Sequence, residues 1–202
     1  MSSARLGLLG GTFDPIHIGH LILAEETRLK LALDRVIFMP AAQPWRKSDR
    51  RIAPAADRLE MVLRAIEGNP HFAPSEIELK REGPTYTAET LAQVRAEIGF
   101  EPALWFILGA DALLDLPYWG DPDRILQYAR LAVTDRGTLM PESLERLEAR
   151  LPGIGARLDL VPMPRVGISS TELRHRLREG LSTRYWLPPA VERYAREHSL
   201  YE

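Results

Sequence analysis

The chain has 202 residues, 45% of them hydrophobic and 27% charged, and a formal net charge of −2. That length holds one well-packed core, and the composition excludes a disordered or membrane-embedded chain. The near-zero charge leaves no footprint for nucleic acid, and the absence of cysteine excludes disulfides, thiolate chemistry and cysteine-ligated zinc.

Strand-like and helix-like segments alternate. Leu6 to Leu9 predicts a first strand and Leu21 to Leu33 an amphipathic helix, which could begin as early as Ile18. Arg35 to Met39 is a second strand closed by Pro40, followed by a basic, proline-interrupted loop from Pro44 to Arg51. Ala55 to Ile66 has helical spacing in Leu59, Val62, Leu63 and Ile66. A strand is expected over Phe72 to Leu79 and a helix over Thr87 to Ile98. The apolar run Leu104 to Leu108 predicts a strand covered on both faces. Later strands are expected at Leu131 to Val133 and Leu158 to Val161, with helices at Pro141 to Arg150, Thr171 to Glu179 and Pro189 to Glu197. This alternation predicts a single α/β domain over residues 1–202, Rossmann-like, with a mostly parallel sheet and helices on both faces. No apolar run approaches the roughly 18 residues that span a bilayer. The first residues lack a signal-peptide pattern, so a cytoplasmic location is expected.

The most informative stretch is Gly10-Gly11-Thr12-Phe13-Asp14-Pro15-Ile16-His17-Ile18-Gly19-His20. A strand entering a glycine pair and leading into a helix can hold phosphate against backbone N–H groups. His17 and His20, three apart, would project from neighbouring positions on a first helical turn. Such donors beside a helix start suit a reaction that builds negative charge on a phosphoryl group. A glycine pair alone is an ordinary turn, and a histidine pair alone can be a solvated face or a surface metal site. The eleven residues together are far more specific. At the other end of the chain, Ile168-Ser169-Ser170-Thr171-Glu172-Leu173-Arg174 offers hydroxyls at a helix start and a guanidinium one turn on. By itself it also fits a plain Ser/Thr cap.

The first stretch resembles the H-x-G-H signature of the nucleotidyltransferase superfamily, and the second resembles the I-S-S-T-x-x-R motif that accompanies it in adenylyltransferases. The resemblance implies a fold akin to class I aminoacyl-tRNA synthetases. It also implies in-line attack on a nucleotide α-phosphate, with Gly10, Gly11, Thr12, Phe13, Ile168, Ser169, Ser170 and Arg174 on ATP. Histidines 17 and 20 are then catalytic. No K-M-S-K-S string follows, which separates the chain from the synthetases.

Four further segments resemble bacterial nicotinate-nucleotide adenylyltransferases. Pro40 to Lys47 is similar to that family's proline-rich loop, with Trp45-Arg46 in place of the usual Pro-His; Lys47 is implied as catalytic and Arg46 as an acceptor contact. Thr85-Tyr86-Thr87 with Thr90-Leu91 is similar to a segment whose backbone receives the pyridine carboxylate, implicating Tyr86 and Thr87. Gly109 to Trp119 is similar to a G-x-D-x-L…L-x-x-W stretch, implying Asp111 on the adenosine ribose and Tyr118 and Trp119 on the acceptor. Taken without the resemblance, Tyr86 and Trp119 are ordinary packed aromatics. Arg136, followed by Gly137 where the family has proline, is implied at the acceptor phosphate. The likeness also takes in Tyr185 to Pro188 and His198 to Tyr201. His71, His175 and His198 show no site logic.

The expected function is adenylyl transfer from ATP to nicotinate mononucleotide, giving deamido-NAD and pyrophosphate. Mg2+ would arrive with ATP, and no protein metal site is expected. Neither nucleic acid nor membrane is an expected partner, and a homo-oligomer is compatible. The alternatives are a phosphopantetheine-type or nicotinamide mononucleotide-preferring adenylyltransferase, and a non-catalytic nucleotide-binding regulator.

Overall fold

The structure is a computed structural model that describes residues 3–42, 52–81, 83, 85–135, 139–164 and 166–202. Its strands are β1 (Arg5–Gly11), β2 (Arg35–Pro40), β3 (Phe72–Pro74), β4 (Ala103–Gly109), β5 (Arg130–Asp135) and β6 (Leu158–Pro162). They form one sheet of order β3-β2-β1-β4-β5-β6, and every neighbouring pair is parallel. The helices are α1 (Ile18–Lys30), α2 (Ala55–Ile66), α3 (Thr87–Ile98), α4 (Ala110–Asp115), α5 (Pro122–Tyr128), α6 (Pro141–Arg150), α7 (Ser170–Arg178) and α8 (Pro189–Glu197).

Alternation along the strands builds two cores. Leu9, Val36, Phe38, Trp105 and Ile107 face one side with residues of α1, α2, α7 and α8. Leu8, Met39, Leu104, Phe106 and Leu108 face the other with residues of α3, α5 and α6. Successive side chains of a strand point to opposite faces, so a strand covered on both sides is apolar throughout. After β3 the chain returns to place β4 on the free side of β1. That reversal opens a crevice at the carboxyl ends of β1 and β4, where doubly wound sheets bind ligands.

Several boundaries differ from the sequence expectation, each for a local reason. Helix α1 starts at Ile18 and stops at Lys30 rather than Leu33. Ala32 is left-handed (φ 47), and the Leu33 and Ala32 N–H groups bond the Arg28 and Leu29 carbonyls at 2.8 and 3.3 Å. This is a Schellman closure with alanine where glycine is usual. Strand β3 ends at Pro74 because the chain then coils into a turn, with Lys80 N–H bonded to the Glu76 carbonyl at 3.1 Å. Helices α4 and α5 were not expected. The signal for α5 was present in Asp121-Pro122: the carboxylate accepts from Arg124 N–H at 3.3 Å and proline takes the first helical position.

In α2 the buried set is Arg58, Met61, Val62 and Ile66, whereas Leu63, expected in the core, is 39% exposed. The guanidinium of Arg58 is accommodated inside because three backbone carbonyls receive it. Nε donates to Ala53 at 3.0 Å, Nη1 to Thr12 at 2.8 Å and Nη2 to Ala42 at 3.1 Å. A buried charge is tolerated only with such satisfaction.

Candidate functional site

The site grows out of the carboxyl end of β1. A Cβ on Gly11 would meet the Phe13 ring at 2.9 Å, so the second glycine lets that ring fold back on the strand end. Phe13 is buried in the left-handed region (φ 50). Its ring meets His20 edge-on at 5.2 Å between centroids. His17 lies just before the first turn of α1, and its ring stacks on His20 at 3.8 Å. Gly19 allows this as well: a Cβ there would lie 3.0 Å from His17 Nδ1.

The backbone N–H of His17 donates to His20 Nδ1 at 3.2 Å. Nδ1 is therefore an acceptor, which assigns the proton of the neutral ring to Nε2 and makes that edge a donor. The first N–H of α1, on Ile18, bonds the Trp186 carbonyl at 3.0 Å, which ties the histidine turn to the segment before α8.

The second motif docks directly onto the first. Ser170 Oγ donates to the Pro15 carbonyl at 3.0 Å, and Arg174 Nη1 donates to the Asp14 carbonyl at 2.7 Å. Arg174 Nη1 also lies 3.6 Å from Asp14 Oδ2, and Nη2 reaches Thr171 Oγ1 at 3.2 Å. Ser169 caps α7, accepting from Glu172 N–H at 3.2 Å, while Ile168 packs against the core. Residues some 155 to 160 positions apart thus share one edge of the sheet.

On the other side of the crevice, β4 ends at Gly109 and exposed Asp111 sits in the first turn of α4. Trp119 is half-buried and meets Phe106 edge-on at 6.1 Å; its Nε1 is buried with no hydrogen-bond partner among the described residues. The Tyr86 ring lies over the next residue, since a Cβ on Gly120 would meet it at 3.0 Å. Tyr86 and Thr87 start α3, so the structure brings Tyr86, Thr87 and Trp119 together. Tyr118 is not brought there; it is 61% exposed and its hydroxyl bonds Arg150 on α6. Arg46, Lys47 and Arg136 lie outside the described residues.

Beneath the start of α3 lies a carboxylate that sequence reasoning missed. Glu78 is buried, accepts from Thr90 Oγ1 at 2.9 Å and bonds the Thr85 hydroxyl. Burial pushes its pKa up, against the opposing pull of both hydroxyls and Arg81. Two threonines of the Thr85-Tyr86-Thr87…Thr90 segment therefore hold a structural acid. The same reasoning also missed Asp14 and Tyr201: Tyr201 Oη donates to Asp14 Oδ1 at 2.8 Å. His71, His175 and His198 are exposed, and His71 and His198 bond backbone carbonyls at 3.1 and 3.0 Å.

The donors gathered at the crevice are hydroxyls, a guanidinium and imidazoles, a set suited to phosphate oxygens rather than to caging a hard cation. Among the described residues no group of three His, Asp or Glu side chains is placed to hold a metal, and no helix is long and apolar enough to cross a membrane.

A parallel sheet of this order, with phosphate donors at its switch point, defines a class of nucleotide-handling α/β proteins. The cytidylyltransferase-like family profile matches residues 8–176. Curated relatives named "Probable nicotinate-nucleotide adenylyltransferase" align along the whole chain. One from Dehalococcoides mccartyi is 45% identical over 100% of this chain and 98% of its own. One from Roseiflexus is 47% identical over 100% of both, and one from Thermus thermophilus is 46% identical over 98% and 99%. In fold, the Plasmodium falciparum nicotinic acid mononucleotide adenylyltransferase complexed with NaAD superposes with a TM-score of 0.79. It covers 98% of this chain and 97% of that one at 18% identity. The chain belongs to the cytidylyltransferase-like family and, within it, to the nicotinate-nucleotide adenylyltransferases.

Proposed function

We propose that the chain, as one nucleotidyltransferase domain over residues 1–202, transfers the adenylyl group of ATP to nicotinate mononucleotide. One observation carries the reading: Ser170 and Arg174 are hydrogen-bonded to the loop that presents His17 and His20. The groups suited to a triphosphate thereby face the groups suited to the transferring phosphorus. A 5′-phosphate oxygen of the acceptor attacks the α-phosphorus, the new P–O bond forms as the α–β bridge breaks, and pyrophosphate leaves. Positioning and electrostatics supply most of the catalysis in such transfers.

In this reading Nε2–H of His20 and the imidazole of His17 stabilise the charge that develops on the α-phosphoryl oxygens. Gly10 to Phe13 frame that loop. Ser169, Ser170 and Arg174 hold the β/γ-phosphates, with Lys47 assisting, and Ile168 braces the helix start. Mg2+ belongs to the ATP substrate. Asp111 takes the ribose hydroxyls. Trp119 stacks the pyridine ring, and the backbone at Tyr86-Thr87 receives its carboxylate at a helix start. Arg46 and Arg136 are the remaining acceptor contacts; Tyr118, turned to Arg150 on α6, is not one of them. The partners are small nucleotides, and the cytoplasm is the expected compartment.

The test is product formation over a panel of acceptors with Mg·ATP. Nicotinate mononucleotide should give deamido-NAD and pyrophosphate at the highest kcat/KM. A preference for nicotinamide mononucleotide would overturn the carboxylate assignment, phosphopantetheine as the preferred acceptor would replace the acceptor altogether, and no pyrophosphate with any acceptor would leave a silent nucleotide binder.

A further inference from the structure

The second-last residue of the chain lies against its first motif. Tyr201 is 93% buried, at 7% exposure, 187 positions from the carboxylate it bonds. Asp14 Oδ1 receives Tyr201 Oη at 2.8 Å and Ala53 N–H at 3.2 Å. The other oxygen faces Arg174, whose guanidinium also grips the Asp14 carbonyl. Arg58 completes the cluster by bonding the Thr12 carbonyl. Two guanidiniums stand against one carboxylate, so the cluster keeps a surplus positive charge. Arg58 is enclosed, and Arg174, partly exposed, presents that surplus at the crevice.

We propose that Tyr201 is a positioning residue for the triphosphate half of the site: by saturating Asp14 Oδ1 it holds the carboxylate in one orientation and so sets both the Thr12–His17 loop and the guanidinium of Arg174. This rests on the adenylyl-transfer reading above. As held, the carboxylate keeps Arg174 Nη1 at 3.6 Å from Oδ2, beyond hydrogen-bond reach. Freed from the phenol, it can turn and take the guanidinium in a closer, two-oxygen pair, since planar forks favour that geometry. Arg174 would then be drawn from the triphosphate. Burial and the neighbouring carboxylate push the phenol's pKa far up, so it stays a donor at every working pH.

Tyr201→Phe removes the hydroxyl and keeps the ring. Its counterpart is Tyr194→Phe, a residue as little exposed, whose part-buried hydroxyl bonds Asp57 at 2.7 Å, away from the first motif. Titration calorimetry on the full chain, with Mg·ATP alone and nicotinate mononucleotide alone, separates the two halves of the site. Tyr201→Phe should raise the Kd for ATP about tenfold and leave that for nicotinate mononucleotide within about twofold. Tyr194→Phe should lower Tm and move neither constant. Unchanged ATP affinity in Tyr201→Phe, an equal weakening of both ligands, or the same ATP loss in Tyr194→Phe overturns the proposal.

Should Tyr201→Phe fail to fold, the wild-type protein still decides. Coupling is reciprocal, so Mg·ATP should slow amide exchange at Leu200 to Glu202, and unaltered exchange there refutes the role. Failure of the functional reading has a separate mark: wild-type protein that binds ATP yet makes no deamido-NAD. The ATP affinities would then still decide whether Tyr201 positions Arg174.

Discussion

Trp105 and Trp119 flank the two ends of β4, and they are built to opposite ends. Trp105 is buried near the amino end; its Nε1 donates to Asp159 Oδ2 at 2.8 Å, the Arg130 guanidinium bonds the same oxygen at 2.7 Å, and Arg5 lies over the ring at 4.5 Å. Every polar group in that set answers another, joining β1, β4, β5 and β6. Trp119, beyond the carboxyl end, is half-buried, meets Phe106 edge-on and has its Nε1 unanswered among the described residues. Nearby, Arg174 bonds the first motif but keeps donors over. The lesson is that closed polar networks mark the edge that holds the sheet, and incompletely answered donors mark the edge to which the proposed function assigns substrate.

The sharpest way to break that contrast is at His20. On the adenylyl-transfer reading, His20→Ala removes a donor aimed at developing charge, and losing such a group should cost about 10²-fold or more in kcat. The ring is only partly buried, so Tm should hardly move. Its opposite is Asp159→Asn, which weakens the Arg130 pair and should lower stability by about 1 kcal/mol while kcat stays at the wild-type value. Steady-state kinetics beside thermal melts read both, and a kinetic defect in Asp159→Asn would erase the distinction between the two edges.

The next effect is smaller and falls on one substrate. Trp119→Ala should raise KM for nicotinate mononucleotide about tenfold, the scale of one aromatic stacking contact, with KM for ATP unchanged. Trp105→Phe should instead leave both KM values alone and lower Tm, because it strands Asp159 with one donor fewer. If Trp119→Ala lowers Tm as Trp105→Phe does and leaves both KM values untouched, Trp119 is core and not platform.

The fold was legible wherever local pattern decides. The expected spans of α2, α3, α6 and α8 coincide with those observed, because helical spacing and flanking Pro or Gly lie within a dozen residues. A mostly parallel sheet was expected from alternation of element types, and every neighbouring pair is parallel. The two motifs were legible as strings, and their mutual docking was not. Nothing local says that Ser170 will bond Pro15, or that Tyr201 will bond Asp14. Arg58 illustrates the same limit: its burial depends on carbonyls of Thr12, Ala42 and Ala53, which the apolar spacing of Leu59, Val62, Leu63 and Ile66 does not reveal. The aromatic pairing of Tyr86 with Gly120 likewise arises only when α3 and the segment after α4 meet.

Glu78 is the subtlest case, a closed network on the substrate edge. Thr85 and Thr90 both bond its carboxylate and so fix the start of α3 from below. Its pKa is raised in the folded protein by burial, above an ordinary value of 4.5. From about that pH up to the raised value, the folded chain therefore keeps a proton that the unfolded chain has released. Stability contributed by this group must fall as pH rises through that window, and stay at the lower level above it. Glu78→Gln keeps an acceptor for Thr90 and can donate to Thr85, so the frame survives without the charge. The difference in Tm, variant minus wild type, should grow more positive from pH 4.5 upward and then level off, with KM for nicotinate mononucleotide within about twofold. Melts across pH 4 to 8 check this. A difference flat in pH would mean that Glu78 titrates as if in water. A Tm response of the expected sign with a large rise in acceptor KM would mean that the charge itself, and not the threonine frame, orders the substrate edge.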